Sequence, residues 1–281
     1  MSIQNPNLRP LNSLATHSVL LAYTLLALFP IVLVVINSFK SRQAIFNEPL
    51  AWPTPSSFTL EGYVRILERS DFALYFYNSF VVTIVPLFLV MLFAAMAAWA
   101  LAEYRFRGNR LMALYLAIGI MIPIRLGTVS ILEIIVGLNL VNTLLALILV
   151  YTAQGLPLAI FILTEYMRQV PRDLKEAARC DGASEYRIFF QIAVPLTRPA
   201  LATVAVFTMV PIWNDLWFPL ILAPAEHTRT IQLGVQQFIG QYSTDWNSVL
   251  SALTLAVMPA LILYMFFSRQ LIRGLTAGAV K

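Results

Sequence analysis

Long uncharged stretches alternate with short charged segments along this chain. Residues 72–102 and 134–164 each form a run of 31 residues without Asp, Glu, Lys or Arg, and residues 246–268 form a run of 23. A bilayer core is about 30 Å thick, and a helix needs roughly 20 apolar residues to cross it, so each run is long enough for one span. The pattern therefore predicts an all-α membrane protein.

The same pattern predicts six transmembrane helices. They lie near 16–38, 78–101, 111–124, 142–164, 200–221 and 247–268. The third has only 14 residues before Arg125, with Pro123 just ahead of it, and is predicted to be a short or broken span. No repeat, low-complexity tract or soluble linker interrupts the chain, so residues 1–281 are predicted to form a single integral membrane domain.

Two segments between the predicted spans have distinct compositions. Residues 40–77 contain several prolines and then closely spaced aromatic residues (Phe72, Tyr75 and Tyr77), which predicts an external loop leading into an interfacial aromatic belt. Residues 125–141 are apolar but contain Arg125, Glu133 and two glycines. They are predicted to form an amphipathic or re-entrant element at the outer surface.

The distribution of Lys and Arg predicts the orientation of the spans. If both ends are inside, 13 of the 19 basic residues fall on inside segments, including six in 165–198 and three in the tail 269–281. Because basic loops stay in the cytoplasm, both termini are predicted to be cytoplasmic in a multi-pass protein of a bacterial-type inner membrane. The first span has no small-residue cleavage site after a short apolar core, so we expect an uncleaved anchor.

Composition excludes several classes of function. Hydrophobic residues make up 59% of the chain and charged residues 12%, and the net charge of +5 is explained by membrane orientation rather than by binding to nucleic acid. One cysteine and two histidines leave little for a disulfide, a metal site or a Cys/His nucleophile. No GxxxxGK[ST], HExxH or GxSxG motif is present, so no means of hydrolysing ATP, peptide or ester is recognised.

The longest inside loop, 165–198, predicts two short helices along the membrane surface. Pro171 suits the first turn of a helix over about 171–180, and Gly182 suits a left-handed C-terminal cap. Ser184 is a predicted N-cap for the second helix, before prolines at 195 and 199 interrupt regular hydrogen bonding. Small residues near Gly182 allow close approach of another surface. The alternative is a loop that only carries inside charges and interfacial helices.

Specific residues of this loop resemble a family signature. Glu176-Ala177-Ala178, then Gly182, then Ile192 and the pair Pro195-Leu196 resemble the loop motif of permease subunits of ATP-binding-cassette (ABC) importers. The position of the loop between spans four and five and the ending at residues 273–281 are similar to the carbohydrate-uptake branch, in particular the maltose-type second permease. The resemblance covers about residues 15–281.

The resemblance implies a function without an enzymatic step in this chain. Such a permease forms the translocation path for a sugar delivered by an extracytoplasmic binding protein. Its implied partners are two ATPase subunits and a second homologous permease, as a heterodimer with a homodimer left open, together with membrane lipid and no nucleic acid. The ATPases bind ATP and Mg, so no cofactor or metal is expected in this chain.

The resemblance also implies two sets of ATPase contacts. The loop is expected to act as a coupling helix that the ATPases move as a lever, through Glu176, Ala177, Ala178, Asp181 and Gly182. Glu176 and Asp181 are candidates for salt links, although Asp181 alternatively caps a helix or stays solvated. The tail is the second expected contact, through Gly274, Leu275, Thr276, Gly278 and Lys281. A frayed terminus is the alternative for the tail.

Polar and aromatic side chains near the outer end of span five are candidates for the substrate path. They are Trp213, Asn214, Asp215 and Trp217, with Arg125 considered alongside them. Sugars are bound by hydroxyl hydrogen bonds and aromatic faces, and polar groups within spans are costly, so these residues are a functional hypothesis. The alternatives are an outer interfacial belt for the cluster, and pairing of Arg125 with Glu133 or with an acid of the partner permease.

Three other classes are less favoured by the residues. An ion-coupled secondary transporter of a small polar solute is the principal alternative, but it needs ionisable groups at the membrane middle and usually internal symmetry. An intramembrane hydrolase lacks a recognisable catalytic set. A DNA-binding helix-turn-helix does not fit a loop confined between two spans.

Overall fold

The computed structural model describes the backbone of residues 8–69, 71–240 and 244–277, and the side chains of 14–68, 71–240 and 244–262. Its α-helices in chain order are α1 (Leu8–Ser38), α2 (Arg42–Asn47), α3 (Glu61–Arg69), α4 (Phe72–Glu103), α5 (Asn109–Met121), α6 (Thr128–Gly137), α7 (Leu144–Arg168), α8 (Arg172–Cys180), α9 (Glu185–Ile188), α10 (Val194–Leu196), α11 (Arg198–Trp213), α12 (Trp217–Leu222), α13 (Ile231–Gln236) and α14 (Trp246–Ala277). Within the described ranges, extended pairing is limited to two isolated bridges. The predicted all-α class is confirmed.

The contacts divide the chain into two compact units. The first comprises Met1–Ser70 and Gln237–Val257, and the second comprises Asp71–Gln236 and Met258–Lys281. The single integral domain stays a prediction.

Within the described residues, three helices are long and apolar enough to cross a membrane. They are Leu14–Ser38 of α1, all of α4 and all of α7. Two bent helix pairs raise the count to five if each pair forms one span, and the apolar part of α14, Trp246–Ile262, is shorter. The predicted spans overlap these helices, and both their bounds and the total of six stay predictions.

The third predicted span is bent at its proline. Helix α5 and the segment Ile124–Gly137 meet at 85°. Ile122 is extended (ψ 117°), as expected for a residue whose α conformation is opposed by the following Pro123. The interpretation of this span as short or broken is confirmed.

The external segment 40–77 contains more helix than predicted. Helices α2 and α3 lie within it, and α4 begins at Phe72 rather than near 78. Tyr75 is fully buried, and the position of a Cβ on Gly234 would fall only 2.5 Å from its ring. Tyr75 therefore belongs to the packed interior of the second unit, and its assignment to an interfacial belt is corrected.

In the first unit, α3 packs closely on the start of α14. A Cβ added to Gly62 would lie 2.4 Å from the backbone oxygen of Asn247, so only glycine allows this approach. The Arg65 guanidinium is 3.1 Å from the Asp245 carboxylate, which binds the two elements together.

The core of the second unit is built on the pair α4 and α7. Val90, Ala94 and Leu163 are fully buried between these helices and their neighbours. A Cβ on Gly155 of α7 would lie 2.8 Å from the Val90 side chain, so a small residue lets the two helices approach closely. The same buried cluster continues into the segment after α8, which links that inside loop to the predicted spans.

Candidate coupling site and substrate path

The loop between α7 and α11 has the local structure that its sequence predicts. Helix α8 occupies Arg172–Cys180, within the predicted range of about 171–180. Gly182 follows with φ +75°, and its N–H donates to the Arg179 carbonyl at 3.0 Å. The Ser184 hydroxyl accepts from the backbone N–H of Arg187 at 3.3 Å, at the start of α9. The left-handed cap and the N-cap are both confirmed.

Most of the predicted coupling residues face outward from the chain. Glu176, Ala177, Asp181 and Gly182 are exposed, whereas Ala178 is partly buried against the core. A Cβ on Gly182 would meet nothing within 4 Å, so the positive φ, and not crowding within this chain, favours glycine there. Together, these residues form a surface of small and acidic groups at the end of α8.

A different face of α8, which carries Lys175 and Arg179, is tied to the end of α4 by ion pairs. Lys175 is buried and pairs with the Glu103 carboxylate, and Arg179 reaches the other oxygen of Glu103 at 2.7 Å. The Arg179 guanidinium also pairs with Glu185 at 2.7 Å. These hydrogen bonds to Glu185 and Glu103 raise the pKa of Arg179 and keep it charged. We call Glu103, Lys175, Arg179 and Glu185 the Glu103 clamp.

Sequence reasoning did not identify the Glu103 clamp. Lys175 lies 72 residues after Glu103 in the chain, so no local pattern connects them. The available signal was a carboxylate ending the uncharged run 72–102 on the same predicted side as a loop with six basic residues. The Lys175 ammonium also lies 5.6 Å from the centre of the Trp99 ring, which adds a cation–π contact to the same junction.

The segment after α9 is embedded in the core. Ile188, Phe189 and Ala193 are buried, and the Phe189 and Trp99 ring centres are 5.9 Å apart. Residues Phe189–Ala193 form a π-helix, and the helices on either side of Thr197 meet at 74°. Movement of α8 would therefore act on packed side chains of α4, α7 and α11.

A second group of interacting side chains lies where α11 ends. Asp215 follows this helix, and its carboxylate accepts from the backbone N–H groups of Trp217 at 3.2 Å and Phe218 at 3.1 Å. The Tyr151 hydroxyl donates to the same carboxylate at 2.9 Å. The predicted span over 200–221 is thus interrupted after Trp213, because the backbone turns before the short helix α12.

Arg125 completes this group. Its guanidinium is 3.5 Å from Asp215 and 5.8 Å from the centre of the Trp217 ring. The Trp217 indole donates to the Thr128 hydroxyl at 3.0 Å. We call Arg125, Thr128, Tyr151, Asp215 and Trp217 the Asp215 cluster. It exposes a cation beside an aromatic ring, while the hydroxyl groups of Thr128 and Tyr151 are hydrogen-bonded within the cluster.

The structure brings together only part of the predicted path. Arg125, Asp215 and Trp217 meet, and the acid paired with Arg125 is Asp215 rather than Glu133. Trp213 is buried with its ring 5.7 Å from that of Phe76, and Asn214 donates to the Val210 carbonyl of its own helix at 2.9 Å. Tyr151 and Thr128 were missed because they lie on other elements.

The predicted tail contacts are only partly within the described structure. Gly274, Leu275 and Thr276 lie in α14, where the backbone alone is described, and Gly278 and Lys281 lie outside the described residues. Among the side chains that are described, no three His, Cys, Asp or Glu groups converge as they would around a metal ion.

Comparison with known proteins identifies the family. Residues 62–277 match the model of the binding-protein-dependent transport system inner membrane component. The chain belongs to this family. The resemblance to ABC importer permeases is confirmed, and the protein is an inner-membrane permease component rather than an ion-coupled carrier.

Several curated relatives match nearly the whole permease. An ABC transporter permease of Caldicellulosiruptor sp. is 35% identical, covering 93% of this chain and 94% of the relative. The diacetylchitobiose uptake system permease NgcG of Streptomyces coelicolor is 31% identical, covering 95% of this chain and 88% of the relative. The arabinooligosaccharide transport permease AraQ of Halalkalibacterium halodurans is 33% identical, covering 91% of this chain and 92% of the relative.

A solved structure supports the same fold. A chain of a bacterial ABC transporter involved in import of the acidic polysaccharide alginate matches with a TM-score of 0.79 and 21% identity. The match covers 96% of this chain and 99% of the other. The two chains therefore share a fold.

Proposed function

We propose that this permease imports a carbohydrate by coupling its α8 region to ATP hydrolysis in a separate subunit. The carbohydrate class is supported by the named substrates of relatives, diacetylchitobiose and arabinooligosaccharides. An extracytoplasmic binding protein delivers the sugar, two ATPases bind ATP and Mg, and a homologous permease completes a heterodimer. Both termini lie in the cytoplasm, on the side of α8.

The observation that carries this proposal is the two-sided character of α8. One side presents Ala177, Asp181 and Gly182 to a partner, with Glu176 exposed at its edge, and another side is held by the Glu103 clamp. A helix that was free on both sides would move without moving the spans. Because α8 is bonded to the end of α4, a force applied to its exposed side reaches a long apolar helix directly.

Small side chains make the exposed side of α8 suitable for close docking. The Ala177 side chain ends at Cβ, and Gly182 has no side chain. A partner backbone can therefore approach without displacing a large group. The carboxylates of Glu176 and Asp181 flank this surface and provide acceptors for basic groups of an ATPase. The tail residues Gly274–Thr276, Gly278 and Lys281 are proposed as a second contact.

The experiment is to compare Ala177→Trp with Gly182→Asn in the reconstituted transporter. The tryptophan adds bulk on the exposed side while leaving the fold intact, so we expect uptake to fall at least tenfold at normal abundance in the membrane. Asparagine tolerates the left-handed conformation and adds little bulk, so Gly182→Asn should retain most of the uptake. Gly182→Trp adds both bulk and backbone strain and should uncouple uptake from ATPase activity.

Uptake and ATP hydrolysis are measured together, with the amount of inserted protein as the control. If Ala177→Trp transports normally, the ATPase does not dock on this surface and the coupling assignment is wrong. Fusing the permease into liposomes without an ATPase provides a second check, since uptake by the permease alone would contradict the proposed importer.

The Asp215 cluster is proposed as part of the sugar path. Trp217 is 41% exposed, and the Arg125 guanidinium lies 5.8 Å from the centre of its ring. Trp217→Ala should raise the substrate concentration needed for half-maximal uptake, since an aromatic stacking surface is lost. Phe207→Ala, at an exposed apolar position of α11, is the control. An unchanged concentration dependence in Trp217→Ala would remove the cluster from the path.

A further inference from the structure

A basic cleft opens beside α8, at the ends of two candidate spans. It has a volume of about 750 Å³ and is formed by the end of α4, the start of α5, the end of α7 and α8. Six cationic side chains line it, against the two carboxylates of Glu103 and Glu176. The cations are Arg105, Arg110, Arg168, Arg172, Lys175 and Arg179.

Half of these cations have no acidic partner among the described side chains. Lys175 and Arg179 pair with Glu103, and Arg168 pairs with Glu165 at 2.7 Å. Arg105, Arg110 and Arg172 form no ion pair with any side chain in the described part of the chain. Three guanidinium groups facing one cleft repel one another, so binding of an anion there is favourable.

Apolar surface next to the cleft distinguishes a lipid from a soluble anion. Tyr104 lines both the basic cleft and a neighbouring groove of about 430 Å³. That groove is formed mainly by apolar side chains, including Met96, Trp99, Tyr186 and Phe190. Phe106, inside the basic cleft, is itself 45% exposed. An anionic head group with attached acyl chains matches this pairing of charge and apolar surface.

We propose that the cleft binds the phosphate head group of an anionic phospholipid of the inner leaflet, with an acyl chain in the neighbouring groove lined by Trp99 and Phe190. Arginine binds phosphate through parallel N–H donors, and basic pockets at the cytoplasmic ends of spans suit anionic lipids. The site lies beside the Glu103 clamp, so the lipid braces the base of α8 against the membrane. The proposal goes beyond carbohydrate import and rests only on the inward orientation of this loop.

The test is lipid binding to the purified full chain in detergent micelles. Phosphatidylglycerol should raise the unfolding temperature and remain bound in native mass spectrometry, whereas phosphatidylcholine with the same acyl chains should do neither. Arg105→Gln/Arg110→Gln should weaken phosphatidylglycerol binding by about tenfold, because each basic group near the surface contributes to attraction of anionic lipid. Arg42→Gln/Arg187→Gln removes the same charge outside the cleft and should bind as the unaltered chain does.

Four outcomes would overturn the proposal. They are equal binding of phosphatidylcholine, unchanged phosphatidylglycerol binding in Arg105→Gln/Arg110→Gln, the same thermal shift with inorganic phosphate alone, and displacement of the lipid by added ATPase subunits. Inorganic phosphate would identify a soluble anion, and displacement would assign the cleft to a protein contact. Since binding is measured without transport, failure of the coupling proposal leaves this result unaffected.

Discussion

Single side chains decide which parts of the α8 region are rigid. Ser184 and Gly182 act on the backbone beside them, and their roles follow from local chemistry that the sequence already shows. Glu103 acts across 72 residues, and only the folded chain brings it to Lys175. The Lys175 side chain is buried, with 7% of it exposed. Loss of the Glu103 carboxylate would therefore leave the buried Lys175 ammonium without a compensating charge.

Glu103→Gln tests the Glu103 clamp directly. Breaking a buried ion pair from one side costs about 3 kcal/mol or more, so we expect a lower unfolding temperature and looser attachment of α8 to α4. Uptake should fall while ATP hydrolysis persists, because a moving α8 no longer moves α4. Both activities and thermal unfolding are measured on the reconstituted transporter.

Glu165→Gln is the matched control for this change. Its pair with Arg168 is exposed, with both side chains about half accessible, and such pairs contribute only about 0–1 kcal/mol. Equal effects of the two substitutions would show that the Glu103 clamp has no special part in coupling.

Helices of this chain break or begin at a proline or at a polar side chain that hydrogen-bonds to the backbone. The break at Pro123 is readable from the sequence, because a proline opposes helix in the preceding residue. The turn between α11 and α12 is not, since Asp215 accepts the backbone N–H groups of Trp217 and Phe218 at the start of α12 while bonded to Tyr151 of α7. The start of α14 is similar, because Asp245 accepts from Ser248 and pairs with Arg65 of α3.

The start of α14 predicts a pH dependence of stability. Burial alone raises the pKa of Asp245, but hydrogen bonds from Ser248 and Arg65 outweigh it and hold the pKa below its usual value. A carboxyl with a lowered folded pKa stabilises the fold above its unfolded pKa of about 3.9, and this contribution is lost as the pH falls through the folded pKa.

We therefore expect the unfolding temperature to decrease as the pH drops below about 4, and to decrease less in Asp245→Asn. Thermal unfolding between pH 7 and pH 3 measures both. Asp71→Asn, at an exposed position before α4, should keep the pH profile of the unaltered chain. Identical profiles for Asp245→Asn and the unaltered chain would contradict a stabilising ionised Asp245.

At the scale of the whole molecule, the orientation in the membrane decides which surfaces meet which partners. The chain has one cysteine, Cys180, and it is exposed at the end of α8. The charge distribution predicts that this end faces the cytoplasm. The native sequence therefore carries its own probe of the proposed topology.

A membrane-impermeant maleimide should label Cys180 in inside-out vesicles and leave it unlabelled in intact cells stripped of their outer envelope. Assembly with the ATPases should slow the labelling, because docking covers the adjacent Ala177. Cys180→Ser provides the background signal. Labelling from the outer side alone would reverse the predicted topology and remove α8 from contact with a cytoplasmic ATPase.

The helical class, the long apolar helices, the break at Pro123 and the cap geometry around α8 can all be predicted from the amino-acid sequence. These features depend on hydrophobic runs and on residues within a few positions of one another, so they are visible without a fold. Only the folded chain shows that Glu103 holds α8, that Arg125 meets Asp215, that Tyr75 is interior and that several arginines share one cleft. Each of these joins residues distant in the chain, and only the packing of helices determines which distant charges and rings come within a few ångströms.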